Sequence, residues 1–272
     1  MTPDRNSAAV HRARWWNSRA FDLAQFALFA LLLGWLTLRG AQSMAYNWQW
    51  YRVPRYLVRV IDGELVWGPL LTGLAVTVEI SIASTVLALA IGLVAALLRL
   101  SHSYSGRWLA IAYIEMIRNT PLLVQLYVFY FLLAPILGLP RLWTGIVALA
   151  AFEGAFAAEI IRAGILSIGR GQWDAAAALG LSRGRCYRLV VLPQALRVML
   201  PPFAGVLVSL VKHSAIVSVI AVFDLTNEAR NIISDTFMSF EIWFTVAGIY
   251  LAITVSLSVG IGVVERRLAV AR

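Results

Sequence analysis

Four ionisable side chains lie in apolar stretches of this sequence without an oppositely charged neighbour one helical turn away: Glu79, Glu153, Lys212 and His213. A charge at membrane depth costs about 2.5–3.5 kcal/mol on the insertion scale, so such groups face a bundle interior or pair with one another. Ser214 adds a hydroxyl directly after His213. The residues leave two interpretations open, namely salt bridges between helices or contacts with a polar ligand.

Two further carboxylates have a basic residue three positions later. Glu115 precedes Arg118 and Glu159 precedes Arg162, so each pair lies on one face of a helix. We expect each to form an ion pair that holds the bundle together.

The segment Asn119-Thr120-Pro121 interrupts an apolar run directly after Arg118. Proline removes a backbone donor and clashes with the carbonyl four residues back, which predicts a break in the helix. Irregular backbone at membrane depth is tolerated where it is buried in protein or lines a cavity. The segment is therefore a candidate gate or path element, and the alternative is a plain kink.

The composition predicts the fold that must position these groups. Of 272 residues, 60% are hydrophobic and 14% are charged, and the mean hydropathy is +0.77. These values are typical of polytopic membrane proteins. Apolar runs of about the 17–25 residues that a bilayer requires predict an all-α, polytopic membrane helical bundle of about six spans: 23–38, 72–98, 109–137, 143–165, 199–223 and 242–264.

Arginine placement predicts the orientation of these spans. With both termini in the cytoplasm, fourteen arginines fall on the cytoplasmic side and six on the other, as the positive-inside rule requires. The net charge of +9 then reflects topology and anionic membrane lipid, and no nucleic-acid partner is expected. The first 20 residues are basic like a signal peptide, but the apolar run that follows is long, which favours an uncleaved first span.

The residues exclude several kinds of site. There is no GxxxxGK[ST] phosphate loop, so the chain is not expected to hydrolyse ATP by itself. Three scattered histidines and the single Cys186 do not predict a metal site or a cofactor in this chain.

A polar helical hairpin is predicted between two of the spans. Residues 172–179 are predicted to form a helix of small residues, with Gly180 as its C-terminal cap. Ser182 is the predicted N-cap of a second helix, which Pro193 interrupts. Two helices of this kind suit docking to another protein. A DNA-binding helix-turn-helix is the alternative, but it requires a third helix for its core, and both flanks here are spans.

The hairpin resembles the cytoplasmic signature of permease subunits of ATP-binding-cassette (ABC) importers. That signature reads Glu-Ala-Ala, three residues, Gly, nine residues, Ile, any residue, Leu-Pro. Asp174 stands here in place of Glu and Val190 in place of Ile. The resemblance implies that the hairpin docks on an ATPase subunit, and it assigns the ATPase-coupling residues as Asp174, Ala175, Ala176, Gly180, Leu192 and Pro193.

Other segments are similar to the polar amino acid permeases of this class, the histidine/glutamine/glutamate permease-like proteins: 72–84, 114–126, 155–172, 192–202 and 210–220. The resemblance implies a five-span type 1 core at 70–268, with the coupling hairpin at about 170–193. Residues 1–69 then form a cytoplasmic N-terminus, an extra first span and a periplasmic aromatic connector.

The resemblance also implies the partners and the mechanism. The chain would lie in the bacterial inner membrane with a second permease subunit, identical or a sister chain. A periplasmic amino acid-binding protein would deliver the amino acid substrate, and a dimer of ABC ATPase subunits would bind ATP and Mg. Import would then proceed by alternating access.

An amino acid substrate requires a donor for its carboxylate and an acceptor for its ammonium group. Glu153 with Lys212 or His213 is the candidate for this role, and Ser214 and Asn119 to Pro121 complete the candidate path. Two other functions stay open, a secondary transporter or channel, and a membrane scaffold that recruits a cytoplasmic partner.

Overall fold

The computed structural model describes residues 19–44 and 46–270, and these divide into two compact units at Trp48 and Gln49. The first unit contains helix α1 (Arg19–Ser43), which includes the predicted extra span and extends beyond it at both ends. Most of the predicted cytoplasmic N-terminus lies outside the described residues, and with it Arg5, Arg12 and Arg14. At the C-terminus, Arg272 also lies outside them.

The second unit begins with a short β-hairpin in the segment that was predicted only as an aromatic connector. A 3-10 turn (Trp50–Arg52) and helix α2 (Pro54–Leu57) lead into strands β1 (Val58–Ile61) and β2 (Glu64–Trp67), which pair antiparallel. Asp62 and Gly63 join the strands, both with positive φ (53° and 84°). An Asp-Gly pair between two apolar runs is a strong hairpin signal, so the sequence did contain this element.

The remainder of the second unit is helical. Five described helices are long and apolar enough to cross a membrane. A pair of shorter helices joined at a sharp bend makes a sixth span if the pair is counted as one. These helices confirm the predicted all-α polytopic bundle. The helices and helical turns in chain order are α3 (Pro69–Leu100), α4 (Tyr104–Arg118), α5 (Leu122–Val128), a π-helical turn (Phe129–Leu133), α6 (Ala134–Leu137), α7 (Arg141–Leu166), α8 (Arg170–Ala178), α9 (Arg183–Cys186), a second π-helical turn (Tyr187–Val191), α10 (Leu192–Ser214), a 3-10 turn (Ala215–Ile220), α11 (Leu225–Thr236) and α12 (Ser239–Val270).

Helices α3 and α7 pack most closely, because small residues line their contact. A Cβ added at Gly92 would lie 2.7 Å from the Cβ of Ala157, so a side chain there would force the two helices apart. Close backbone approach through small residues is the usual basis of helix association in membranes. Helices α4 and α10 each pack against both members of this pair.

The break at Asn119 to Pro121 is larger than a kink. Helix α4 meets the helical segment Leu122–Leu137, which comprises α5, the π-helical turn and α6, at 113°. The predicted span 109–137 is therefore two helical segments and not one bent helix. Pro121 is extended (ψ 137°) and cannot donate to the preceding turn. The buried side chain of Gln125 replaces the missing donor: its Nε2 donates to the carbonyls of Ile117 (2.7 Å) and Thr120 (3.1 Å).

The role of Gln125 predicts a specific instability. Gln125→Leu keeps the apolar bulk but leaves the Ile117 carbonyl without its donor, which costs about 1–3 kcal/mol for a buried group. We expect a lower midpoint of thermal unfolding for the purified protein in detergent. Thr85→Val is the control, since the Thr85 hydroxyl donates to a carbonyl within a regular helix. Equal midpoints for the two variants would contradict the assigned role.

A buried carboxylate starts helix α11. Asp224 accepts a hydrogen bond from the backbone N–H of Asn227 at Oδ1 (2.9 Å), whereas its Oδ2 has no hydrogen-bond partner among the described residues. Its environment includes Gly73 and Thr77 of α3, and Thr77 Oγ1 accepts from the N–H of Leu225 (3.1 Å). Burial raises the pKa of the Asp224 carboxyl from 3.8 to about 6, against the lowering effect of the cap hydrogen bonds.

This pKa predicts how stability depends on pH. The folded state holds the Asp224 proton more tightly than the unfolded state, so its contribution to stability is complete below about pH 4 and is lost as pH rises through about 6. Asp224→Asn keeps a cap acceptor without the charge. At pH 7.5 the variant should gain up to about 3 kcal/mol over the wild type, a rise in unfolding midpoint of several degrees, and at pH 4 the gain should vanish. A gain of the same size at both pH values would contradict the prediction.

Candidate functional site

A cavity of about 430 Å³ lies between helices α7 and α10 and is closed on one side by the end of α4. Its polar lining comes from all three helices, and two phenylalanines on α7 form an aromatic wall. The polar and aromatic lining residues are Arg118, Phe152, Glu153, Phe156, Glu159, Ser209 and His213.

Glu153 and His213 meet in this cavity. The carboxylate Oε1 lies 2.6 Å from His213 Nδ1, and the Glu153 side chain is only 3% exposed. The ring of Phe152 packs edge-to-face against the imidazole, with 5.7 Å between centroids. The structure thus brings together one of the two predicted acid–base combinations.

The other predicted partners of Glu153 lie elsewhere. Lys212 is exposed and is not part of the cavity lining, because it points from another face of α10. Ser214 is fully buried, and its hydroxyl donates to the carbonyl of Val211 (2.7 Å). Glu79 is exposed on α3 and has no ion-pair partner among the described residues.

Arg118 does not pair with Glu115, so that predicted ion pair is wrong. The Arg118 guanidinium lies over the ring of Phe156, 5.5 Å from its centroid, and lines the cavity. The Glu115 carboxylate instead accepts a hydrogen bond from Asn119 Nδ2 (3.1 Å). Helix α4 ends at Arg118, so the side chain is directed into the space that the break opens.

Glu159 forms the other predicted ion pair and one more. Arg162 Nη2 donates to Glu159 Oε2 (3.0 Å), which confirms the pair, and the Arg99 guanidinium donates to Oε1. Arg99 was not predicted as a partner of Glu159, although it is the only charged residue of the last four turns of α3. The signal in the sequence is its position as a single charged residue near the end of an apolar run, where a charge requires a partner.

The break itself does not line the cavity. Asn119, Thr120 and Pro121 are exposed, and only Arg118 at the start of the break is part of the lining. The Asn119 side chain also donates to the Glu115 carbonyl (2.7 Å), and the Thr120 hydroxyl donates to the carbonyl of Met116 (2.8 Å). In this conformation these residues end helix α4 and direct the Arg118 side chain toward the cavity.

The cavity lining carries both cationic and acidic groups. Arg118 supplies a guanidinium that no carboxylate neutralises within the described residues, and such a group binds carboxylates strongly. The Glu153–His213 pair adds acceptor capacity to the same cavity. The arrangement suits a small molecule that carries both a carboxylate and an amine.

A second candidate site is the helical hairpin formed by α8, α9 and the turn between them. Gly180 has φ +71° and follows directly after the last turn of α8, as predicted for a cap. Ser182 occupies the N-cap position of α9, but its side chain makes no capping hydrogen bond. Asp174 and Ala175 are exposed on α8, in agreement with a docking surface.

Two of the predicted coupling residues play other parts in this hairpin. Ala176 is 2% exposed and packs in a core cluster with Val191 and Ala195, so it faces the bundle and not a partner. Pro193 does not interrupt the second helix. The π-helical turn at Tyr187–Val191 accommodates it, and the chain stays helical from Arg183 through Ser214. The second helix of the hairpin is therefore continuous with the membrane span formed by α10.

The hairpin also exposes an apolar residue, Leu179, that was not among the predicted coupling residues. Leu179 ends α8 beside Gly180 and is 80% exposed. Leu192 is half-exposed and Pro193 is exposed on the second helix of the hairpin. An apolar tip with an exposed row of alanines is the surface that a groove in another protein fits.

A family described as "Binding-protein-dependent transport system inner membrane component" matches residues 88–270. The chain belongs to this family. It is therefore a multi-pass permease, and membership excludes the helix-turn-helix and secondary-transporter interpretations.

Curated relatives of this permease are similar over most of their length. The glutamine transport system permease protein GlnP of Escherichia coli (strain K12) is 37% identical over 215 residues, 77% of this chain and 98% of that protein. The arginine transport system permease protein ArtQ of Bacillus subtilis (strain 168) is 36% identical over 201 residues, 73% of this chain and 92% of that protein.

Solved structures agree with the fold. The permease is similar to a chain of a structure described as an amino acid ABC transporter with histidines, with a TM-score of 0.69 and 37% identity over 73% of this chain and 94% of that one. The MetNI methionine ABC transporter matches with a TM-score of 0.62 over 73% and 95% of the two chains. At 21% identity the second match supports the fold alone.

Proposed function

We propose that this permease imports a polar amino acid across the bacterial inner membrane, driven by a separate ABC ATPase. The cavity lined by Arg118 and the Glu153–His213 pair carries this proposal, because its cationic and acidic groups match the two charges of an amino acid. The named substrates of the similar proteins, glutamine and arginine among them, support the same substrate class.

Both kinds of group have a role in binding. Arg118 receives the substrate carboxylate through a charge-assisted hydrogen bond, which is about twice as strong as a neutral one. The ammonium group donates to Glu153, which His213 holds in place at 2.6 Å. Since Glu153 is almost completely buried, its charge acts in a low dielectric and is most effective when a cation reaches it.

The hairpin couples this cavity to ATP. A dimer of ATPase subunits binds ATP and Mg and closes around the hairpins of two permease subunits, of which the second is a copy or a sister chain. The exposed Asp174, Ala175 and Leu179 contact the ATPase, and Ala176 anchors the hairpin to the spans. Closure turns the bundles outward, a periplasmic binding protein releases the amino acid into the cavity, and hydrolysis resets the cycle.

The orientation follows from the arginine distribution. Both termini and the hairpin lie in the cytoplasm, while the β-hairpin and helix α11 lie on the periplasmic side. Positive charge is then concentrated on the cytoplasmic side, as in other inner-membrane proteins.

The assembly can be tested by purification of the tagged chain from native membranes in mild detergent, with identification of bound proteins by mass. We expect a stoichiometric ABC ATPase, and a sister permease if the pair is heteromeric. Reconstituted complex should then take up an amino acid only with an active ATPase. Recovery of the chain alone, under conditions that preserve a known importer, would contradict the proposal.

A further inference from the structure

Arg118 has no carboxylate partner among the described residues, although two carboxylates lie nearby. Glu115 is three residues before it on α4, and Glu159 lines the same cavity from α7. The Arg118 guanidinium lies over the ring of Phe156, which is one helical turn from Glu159. Ionisable groups at membrane depth pair with one another wherever they can. Other donors must therefore hold both carboxylates away from Arg118.

The contact with Phe156 alone does not keep Arg118 unpaired. A cation over an aromatic ring is held less strongly than one that is hydrogen-bonded to a carboxylate. A free carboxylate one turn away would therefore draw the guanidinium off the ring. Glu115 is not free in this sense, because its carboxylate accepts a hydrogen bond from Asn119 Nδ2 (3.1 Å).

Glu159 is occupied by two other arginines. Arg99 donates to its Oε1, and Arg162 donates to its Oε2 through both Nη2 (3.0 Å) and Nε (3.3 Å). The three side chains are only 20–29% exposed, so salt and water screen their attraction incompletely. Two guanidinium groups thus neutralise one carboxylate and engage each of its oxygens.

Arg99 is the member of this cluster that comes from another helix. Glu159 and Arg162 share α7, whereas Arg99 is on α3, two turns beyond the close contact of Gly92 with Ala157. This packing fixes the end of α3 against α7. Arg99 itself does not line the cavity, so it is not placed to contact a ligand there.

We propose that Arg99 is a positioning residue for the cavity: it holds Glu159 in the ion pair and thereby leaves the Arg118 guanidinium available for the carboxylate of the substrate. The inference rests on the proposed function of Arg118. The arrangement of the three charges, however, does not require a substrate or an ATPase and can be tested without them.

Thermal unfolding of the purified chain in detergent tests the charge arrangement. In Arg99→Gln, Oε1 of Glu159 loses its donor, and Arg118 becomes its new partner. Arg118→Gln should therefore leave the unfolding midpoint nearly unchanged in the wild type and lower it by several degrees in the Arg99→Gln protein. The same change of midpoint in both backgrounds would overturn the proposal.

Arg107→Gln provides the matched background. Arg107 is an exposed arginine of α4 with no ion-pair partner among the described residues, so its removal deletes an equal charge but frees no carboxylate. Arg118→Gln should have no effect on the midpoint there. If Arg99→Gln does not elute as a single species, Arg162→Gln frees the other oxygen of Glu159 and takes its place.

Uptake into proteoliposomes measures the consequence for transport, with labelled glutamine or arginine as the probe. Arg99→Gln should raise the half-saturation concentration about tenfold with little change in the maximal rate, because most molecules then hold Arg118 in a competing pair. The double variant Arg99→Gln/Glu159→Gln removes the competing carboxylate and should return the value to within about twofold of the wild type.

The failures of the two proposals are distinguishable. If Arg118→Gln raises the half-saturation concentration and Arg99→Gln does not, Arg99 is not a positioning residue. If neither variant changes it, the proposed binding of the substrate carboxylate at Arg118 is wrong, and the unfolding midpoints alone then decide whether Arg99 keeps Glu159 from Arg118.

Discussion

Gly180→Val should abolish most amino acid uptake while the complex still hydrolyses ATP. The position has φ +71°, a conformation that costs a β-branched residue on the order of 1–3 kcal/mol. No atom lies within 4 Å of a Cβ at this position, so conformation alone determines the effect. The strain is relieved if the turn changes, and then Leu179 and the alanine row of α8 no longer present the same surface.

A matched control exists four residues away. Gly184 is in the same hairpin, it also has open space around a Cβ, and its φ is not positive. Gly184→Val should therefore retain uptake within about twofold of the wild type, since a β-branched residue in a helix costs well under 1 kcal/mol relative to good helix formers. Uptake and ATPase rates are measured on reconstituted complexes at equal protein content.

The comparison has a clear failure condition. If Gly180→Val transports normally at equal expression, Gly180 does not set the geometry of the coupling hairpin. Equal loss in both valine variants would assign the effect to bulk in the hairpin and would contradict the argument from backbone conformation.

Membrane helices were predictable from sequence because their signal is local. Apolar length alone located α3, α7 and α12, and the proline located the break after Arg118. Gly180 was also predictable, since a left-handed cap after a run of alanines requires the residue type that adopts positive φ without cost. Backbone conformation and hydropathy are thus accessible without knowledge of the tertiary fold.

Side-chain partners were less predictable because they depend on which helices meet. The spacing of Glu115 and Arg118 permits an ion pair, but the helix ends there and Phe156 of another helix attracts the guanidinium. Ala176 was predicted to be exposed with the other residues of the coupling signature. It is nevertheless buried, because the hairpin folds back on the spans.

Glu153 and His213 are the informative exception. Neither has a local partner, and the cost of a buried charge requires one, so a contact between distant residues was predictable from their isolation alone. The same reasoning did not distinguish His213 from Lys212, which are adjacent in sequence. Only the direction of each side chain on α10 separates them, and that depends on how α10 packs against α7.

Arg118→Gln should reduce amino acid uptake by about 10- to 100-fold, because a hydrogen bond to a charged group contributes about 1.5–3 kcal/mol. Arg118 lines the cavity, is the proposed receptor of the substrate carboxylate, and has no carboxylate partner among the described residues, so its removal leaves no new unpaired anion. The stability of the protein should consequently change little. Arg118→Lys keeps the charge without the planar fork and should restore part of the rate.

Arg107→Gln is the matched control, because Arg107 is exposed on the same helix and does not line the cavity. Uptake of the labelled amino acid into proteoliposomes is measured over a range of substrate concentrations. A higher half-saturation concentration with little change in the maximal rate assigns Arg118 to substrate binding. A lower maximal rate at an unchanged half-saturation concentration would assign it to coupling, and uptake near the wild-type rate would show that the substrate carboxylate does not bind at Arg118.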